Sequence, residues 1–245
     1  MMMVNLKPIS IYVLRLKFIQ NLATNRARRV SLQLLLALSA LAGLPIFAHA
    51  GSYDDYFKAA KLDDAATISF LLQRGFDPNT IEPERGDSGL ILALREKSMK
   101  AFAVLVNARD INIDQRANNG DTALMIAAYN ANKQAVETLL AKGAKVNQDG
   151  WTALHYAAAI GDNDIVKMLV DKSAEVDAPS PNKTTPVMMA ARGGHIYTVK
   201  ALLDAGADAS LQNDSGMTAI DLARQGGHKD IVEGLTYRLK KAGKL

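Results

Sequence analysis

Six alanines and six leucines constrain this chain more than anything else in it. Ala59, Ala93, Ala127, Ala157, Ala190 and Ala223 are each followed, twelve residues on, by Leu71, Leu105, Leu139, Leu169, Leu202 and Leu235. Successive rungs lie 34, 34, 30, 33 and 33 residues apart. A near-constant period of this length marks one supersecondary unit used repeatedly. Each unit is too small to bury its own apolar face and must stack on its neighbours. The expected fold class is all-α, a solenoid of stacked helix-turn-helix units.

Within each unit the pattern is regular. Thr122, Thr152, Thr185 and Thr218 serve as reference points, with Ser88 and Asp54 in the same place in the two weaker units. Leu90, Leu124, Leu154, Val187 and Ile220 stand two residues later, followed by the ladder Ala and often a second small residue. Small residues let neighbouring helices approach closely. A Gly-containing break follows, as in Gly161-Asp162, Gly194-His195 and Gly227-His228. A second helix then carries an apolar residue three positions before the ladder Leu, as in Val136/Leu139 and Val166/Leu169, so that both share one face. Gly75, Gly143 and Gly206 stand where a helix C-cap needs a left-handed residue. Ser173 and Arg109 replace that glycine in two units. A further Gly precedes most reference residues, and the two turn signals together predict a projecting β-turn finger. The finger between Val146 and Gly150 should be truncated, because its unit is three residues short. The stretch from Thr80 to Asp87, with Pro83, is expected to be an irregular finger.

The run Gly150-Trp-Thr-Ala-Leu-His-Tyr-Ala-Ala, continued by Gly161 and Ile165-Val166, resembles an ankyrin repeat. So do Thr185-Pro186, Ala190-Ala191, Gly194-His195, Leu202-Leu203 and Gly206-Ala207-Asp208. The resemblance covers about residues 53–238 and implies five to six repeats, the first and last acting as caps. The domain is placed at 51–245, with Tyr53 to Asn79 as a divergent cap. Tyr237 to Leu245, with Arg238, Lys240, Lys241 and Lys244, should close a capping helix, since cations are favoured at a helix C-terminus.

The N-terminal residues form a different region. Arg26-Ala-Arg28-Arg29 precedes an apolar run from Val30 to Leu44, then Pro45 and Ala48-His49-Ala50. A basic flank, a short apolar core and an A-x-A site describe a secretory signal peptide, residues 1–50, cleaved after Ala50. The run is shorter than the ~20 residues of a membrane-spanning helix. An uncleaved anchor is the alternative, and Arg28-Arg29 also admits a twin-arginine route. This region explains the charge. It holds six basic residues and no acidic ones. Removing those six from the 29 Lys and Arg leaves 23 against 25 acidic residues, a net of −2 rather than +4. A basic nucleic-acid footprint is thereby excluded from the repeats. The absence of cysteine excludes a disulfide framework and a thiolate nucleophile. Export of a Cys-free domain points to a periplasmic or secreted protein.

No Ser-His-Asp order, phosphate loop or metal-ligand spacing occurs, so catalysis, a cofactor and a metal are not expected. His155, beside Leu154, stands where ankyrin repeats carry a turn-bracing histidine. A binding role is better founded. The resemblance implies that fingers and first helices line a concave face. The side chains reaching it lie just before each reference residue and seven to eight positions after it. The candidate partner-binding residues are Trp151, Tyr129, Asp121, Ile160, Arg192, Met217, Arg224 and Arg95. Trp, Tyr and Arg dominate the energetics of protein interfaces. Trp151 has a second reading, packing across the shortened finger.

The expected function is a protein-interaction module exported to the bacterial periplasm, a monomer that binds a partner protein and no nucleic acid. Exported bacterial ankyrin proteins, which this chain resembles, are thought to support or protect envelope and stress-response proteins. An immunity protein that occludes an envelope-targeting toxin, or a secreted effector, would use the same face.

Overall fold

The computed structural model describes residues 48–245. The expected signal peptide lies outside them except for its last three residues. The chain divides into two units, residues 1–53 and 54–245, and the second carries the solenoid. The described helices fall into six pairs. They are α1 (Ala48–Lys61) with α2 (Ala65–Gln73), α3 (Gly89–Arg95) with α4 (Met99–Leu105), and α5 (Ala123–Tyr129) with α6 (Lys133–Ala141). They continue with α7 (Ala153–Ile160) and α8 (Asn163–Asp171), α9 (Pro186–Gly193) and α10 (Ile196–Asp204), and α11 (Ala219–Gln225) and α12 (Lys229–Lys241). The first helices α3, α5, α7, α9 and α11 pack in one row, and second helices pack beside it. No described helix is long and apolar enough to cross a membrane.

The alanine-leucine ladder is the core. All twelve residues are buried, and Leu105, Leu139, Leu169 and Leu202 are completely so. Burying a leucine contributes roughly 1.5–3 kcal/mol, which short helices of seven to nine residues need, since alone they are marginal.

The reference residues are helix N-caps. The side chains of Ser88, Thr122 and Thr218 accept from the amides of Ile91, Met125 and Asp221. Asp54 departs from the pattern. It lies inside α1, which begins at Ala48, because nothing in the first unit breaks the helix there. The acidic pair Asp63-Asp64 divides its work between two helices. Asp64 caps α2 through the Thr67 amide, while Asp63 Oδ1 accepts from Lys100 and Ala101 at the start of α4.

Second helices end on a left-handed residue at Gly75, Gly143, Ser173 and Gly206. In the second unit this residue is Asp110 (φ 60°) and not Arg109, since α4 runs into a looser turn that shifts the reversal one position on. Beyond the reversal, polar side chains stitch one unit to the next. Asn79 accepts from the Asn112 amide and donates to the Asp110 carbonyl; Asn147 does the same with Glu175 and Ser173. The finger at Thr80 to Asp87 is a narrow hairpin rather than irregular. Ile81 bridges Ser88, and the Glu82 carboxylate gathers the amides of Glu84 and Arg85. The finger before α7 is short, as expected. Arg116 of the preceding finger holds it by two bonds to Gln148 Oε1, at 3.0 and 2.7 Å.

The histidines tie units together. His155 Nδ1 accepts from the Thr152 amide, so its Nε2 carries the proton and donates to the Thr184 carbonyl at 2.9 Å. His195 donates to Ala159 O and His228 to Arg192 O, each closing the C-terminal end of the preceding unit's first helix. Gly161 makes room for His195: its φ is +80°, and a Cβ there would sit 2.4 Å from the ring. Burial pushes the His155 pKa down. The unfolded chain, with its histidine near the ordinary ~6.5, therefore takes up a proton first as pH falls, and stability declines below about pH 6.5. His155→Gln should flatten that part of the profile. Melting temperatures from pH 7.5 to 5 check this, and parallel wild-type and variant curves would refute it.

Candidate functional site

The fingers and the C-terminal ends of the first helices meet on one face. Its geometry follows from register. Counting from each reference residue, the position just before it carries Asp87, Asp121, Trp151, Thr184 and Met217 in units two to six. The seventh position after it carries Arg95, Tyr129, Ala159, Arg192 and Gln225. The first set sits at the finger base, the second at the end of a first helix, and stacking brings the helix end at Arg95 between two fingers.

Units two to four use these positions on one another. Arg95 reaches both flanking fingers, with Nε 2.9 Å from Asp87 Oδ2 and an η-nitrogen 2.9 Å from Asp121 Oδ2. The Asp87 contact is an ion pair, and Asp87 is 0 % exposed with no other side-chain partner among the described residues. Burial raises the Asp87 pKa, against the lowering effect of Arg95. Asp121 is more richly held. It accepts from Arg95, from Asn119 Nδ2 at 2.7 Å and from the Tyr156 hydroxyl at 2.8 Å. Burial and the Asp121 carboxylate both raise the Tyr156 pKa, keeping the phenol protonated as a donor. Tyr129 then stands edge-on to Tyr156, the ring centroids 5.9 Å apart. Asn130 donates to the Leu94 carbonyl at 2.7 Å.

The structure thus sorts the expected contact residues. Asp121 is buried, and Arg95 is engaged at both ends, its side chain 22 % exposed; these two brace the face from behind. Tyr129 and Ile160 remain open, at 54 % and 40 % exposure. Trp151 is half-buried, edge-on to His155 of its own unit at 5.2 Å, and keeps part of its surface in solvent. Arg192 and Arg224 are exposed, Arg224 beside Asp221 at 2.9 Å, and half-buried Met217 accepts from Gln225 Nε2. Tyr156 was not among the expected residues. Its only signal was its place four residues after Thr152, one unit beyond Asp121, and spacing alone does not show that two side chains meet. Among the described residues, no group of three or more His, Asp or Glu side chains converges as a metal site.

A family model for ankyrin repeats (three copies) matches residues 56–149, 90–180 and 154–242. Similar proteins include Protein glp-1 of Caenorhabditis elegans, 36 % identical over 140 residues, 51 % of this chain and 11 % of that protein. SH3 and multiple ankyrin repeat domains protein 2 of Homo sapiens is 36 % identical over 134 residues, 53 % of this chain and 7 % of that protein. Neurogenic locus notch homolog protein 1 of Xenopus tropicalis is 32 % identical over 135 residues, 54 % of this chain and 5 % of that protein. The chain spans about a tenth or less of the length of these relatives.

Proposed function

The chain belongs to the ankyrin-repeat family, and on that premise we propose that its repeats hold one partner protein on the concave face formed by fingers and first-helix ends. The observation that carries this reading is the contrast within that face. Asp87, Arg95, Asp121 and Tyr156 lock together beneath it, while Tyr129, Ile160, Arg192 and part of Trp151 are left to solvent. A rigid polar brace under exposed aromatic and cationic groups is the arrangement of an interaction hot spot, because the exposed groups are ordered before the partner arrives.

The N-terminal pattern supports an exported protein that works in the periplasm, where the bound partner would be an envelope or stress-response protein supported or protected by the contact. The test is capture of envelope proteins on the immobilised chain, with the first residue of the mature chain read by mass spectrometry. A chain beginning at Gly51 and one saturable partner are expected. Trp151→Ala with Tyr129→Ala should weaken that partner by ~2 kcal/mol or more at unchanged helicity. Undiminished binding by the folded double variant would place the partner elsewhere.

A further inference from the structure

The face contains two arginines at the same register, and they differ in one respect. Arg95 and Arg192 both stand seven residues after their reference residue. Around Arg95 the two flanking finger positions are Asp87 and Asp121, and both carboxylates lie 2.9 Å from the guanidinium. Around Arg192 the same two positions are Thr184 and Met217. Neither carries charge. Among the described residues the arginines in ion pairs are Arg95, Arg109, Arg224 and Arg238. Arg192 is exposed, and its backbone is fixed because its carbonyl accepts from His228 Nε2 at 3.1 Å.

We infer that Arg192 is the seat for a carboxylate supplied by the partner, an Asp or Glu side chain flanked by an apolar residue. It would reach the exposed guanidinium from solvent and supply the charge that Asp87 and Asp121 supply around Arg95. The chain itself supplies the template. The same scaffold, one guanidinium and the same two flanking positions already hold carboxylates in ion-pair contact three units earlier. A planar guanidinium binds a carboxylate with a charge-assisted, directional contact. The apolar neighbour follows from register, which places half-buried Met217 at the base of the next finger and exposed Ile160 at the first-helix end of the preceding unit. This inference rests on the protein-binding reading of the face and names the chemistry of what binds there.

The test uses the full chain and a random dodecapeptide library displayed on phage, so that no natural partner need be known. Enriched peptides should carry Asp or Glu next to Leu, Ile, Phe or Met. Their affinity should fall about tenfold or more in Arg192→Ala, fall less in Arg192→Lys, and weaken with salt. Met217→Asp provides the complementary variant. It installs the internal carboxylate that Arg95 already has and should block acidic peptides about as strongly as Arg192→Ala. Melting curves of each variant verify that the repeats remain folded. Acidic peptides that bind Arg192→Ala undiminished would overturn the inference. So would enriched peptides without a carboxylate that depend on Trp151 and Tyr129, which would leave the protein-binding reading standing. A library that yields no peptide dependent on Trp151, Tyr129 or Arg192 would overturn both.

Discussion

Leu139→Ala is expected to lower the unfolding free energy by about 2–5 kcal/mol. Leu139 is the third rung of the ladder, 0 % exposed at the end of α6, with Val136 equally buried one turn earlier. Truncation removes the transfer free energy of the side chain and leaves a void that neighbouring helices can only partly fill. The position matters as well as the size. In a stacked array each unit is stabilised by its interfaces with the units on either side, so damage to a central unit weakens both. Denaturant melts of the two proteins measure this. A loss under about half a kcal/mol would mean that the helix faces are misassigned.

Arg95→Ala is expected to cost about 2–4 kcal/mol, more than its partly exposed side chain would suggest. Removing one member of a buried ion pair leaves the other charged, desolvated and unpaired, which typically costs 3–5 kcal/mol. Here Asp87 is the orphan, fully buried and with Arg95 as its one ion-pair contact among the described residues. The expected loss lies somewhat below that typical range because the Arg95 side chain is 22 % exposed and water can enter when it leaves. Asp121 suffers less, since it keeps Asn119 and the Tyr156 hydroxyl. The effect has a pH signature. Burial already raises the Asp87 pKa, and losing the guanidinium raises it further. A carboxyl whose folded pKa lies above its unfolded value near 3.9 stabilises at low pH, and that stability disappears as pH rises through the folded value. The difference between wild type and Arg95→Ala should therefore be larger at pH 7 than at pH 4. A pH-independent difference would show that lost packing, not an orphaned charge, is responsible.

Some of this molecule is written in one dimension. The ladder, the register of Ser88 and Thr122, the glycine reversals and the shortened finger before Trp151 all follow from spacing, because each depends on residues close in sequence or on a strict period. The exceptions have local causes. Asp54 could not act as a cap with no helix stop before it, and the reversal expected at Arg109 slid to Asp110 because α4 ends in a looser turn. The finger around Pro83 took a defined shape from a feature that composition hides, a glutamate folding back on two amides.

The face was legible only as a set of positions. Sequence placed Arg95, Asp121, Tyr129, Trp151, Ile160, Arg192, Met217 and Arg224 in the register of one surface, and among them only Trp151 carried a second, packing role. The tertiary structure separated them. Arg95 and Asp121 became an internal brace, Tyr156 joined them unannounced, and Arg192 was left with uncharged Thr184 and Met217 at the two corresponding finger-base positions. The repeat period decides which units stack and which residues share one face. Whether a charged side chain at such a position is neutralised or free depends on what the next unit places a few ångströms away, some thirty residues distant in sequence, and only the folded stack brings those atoms together.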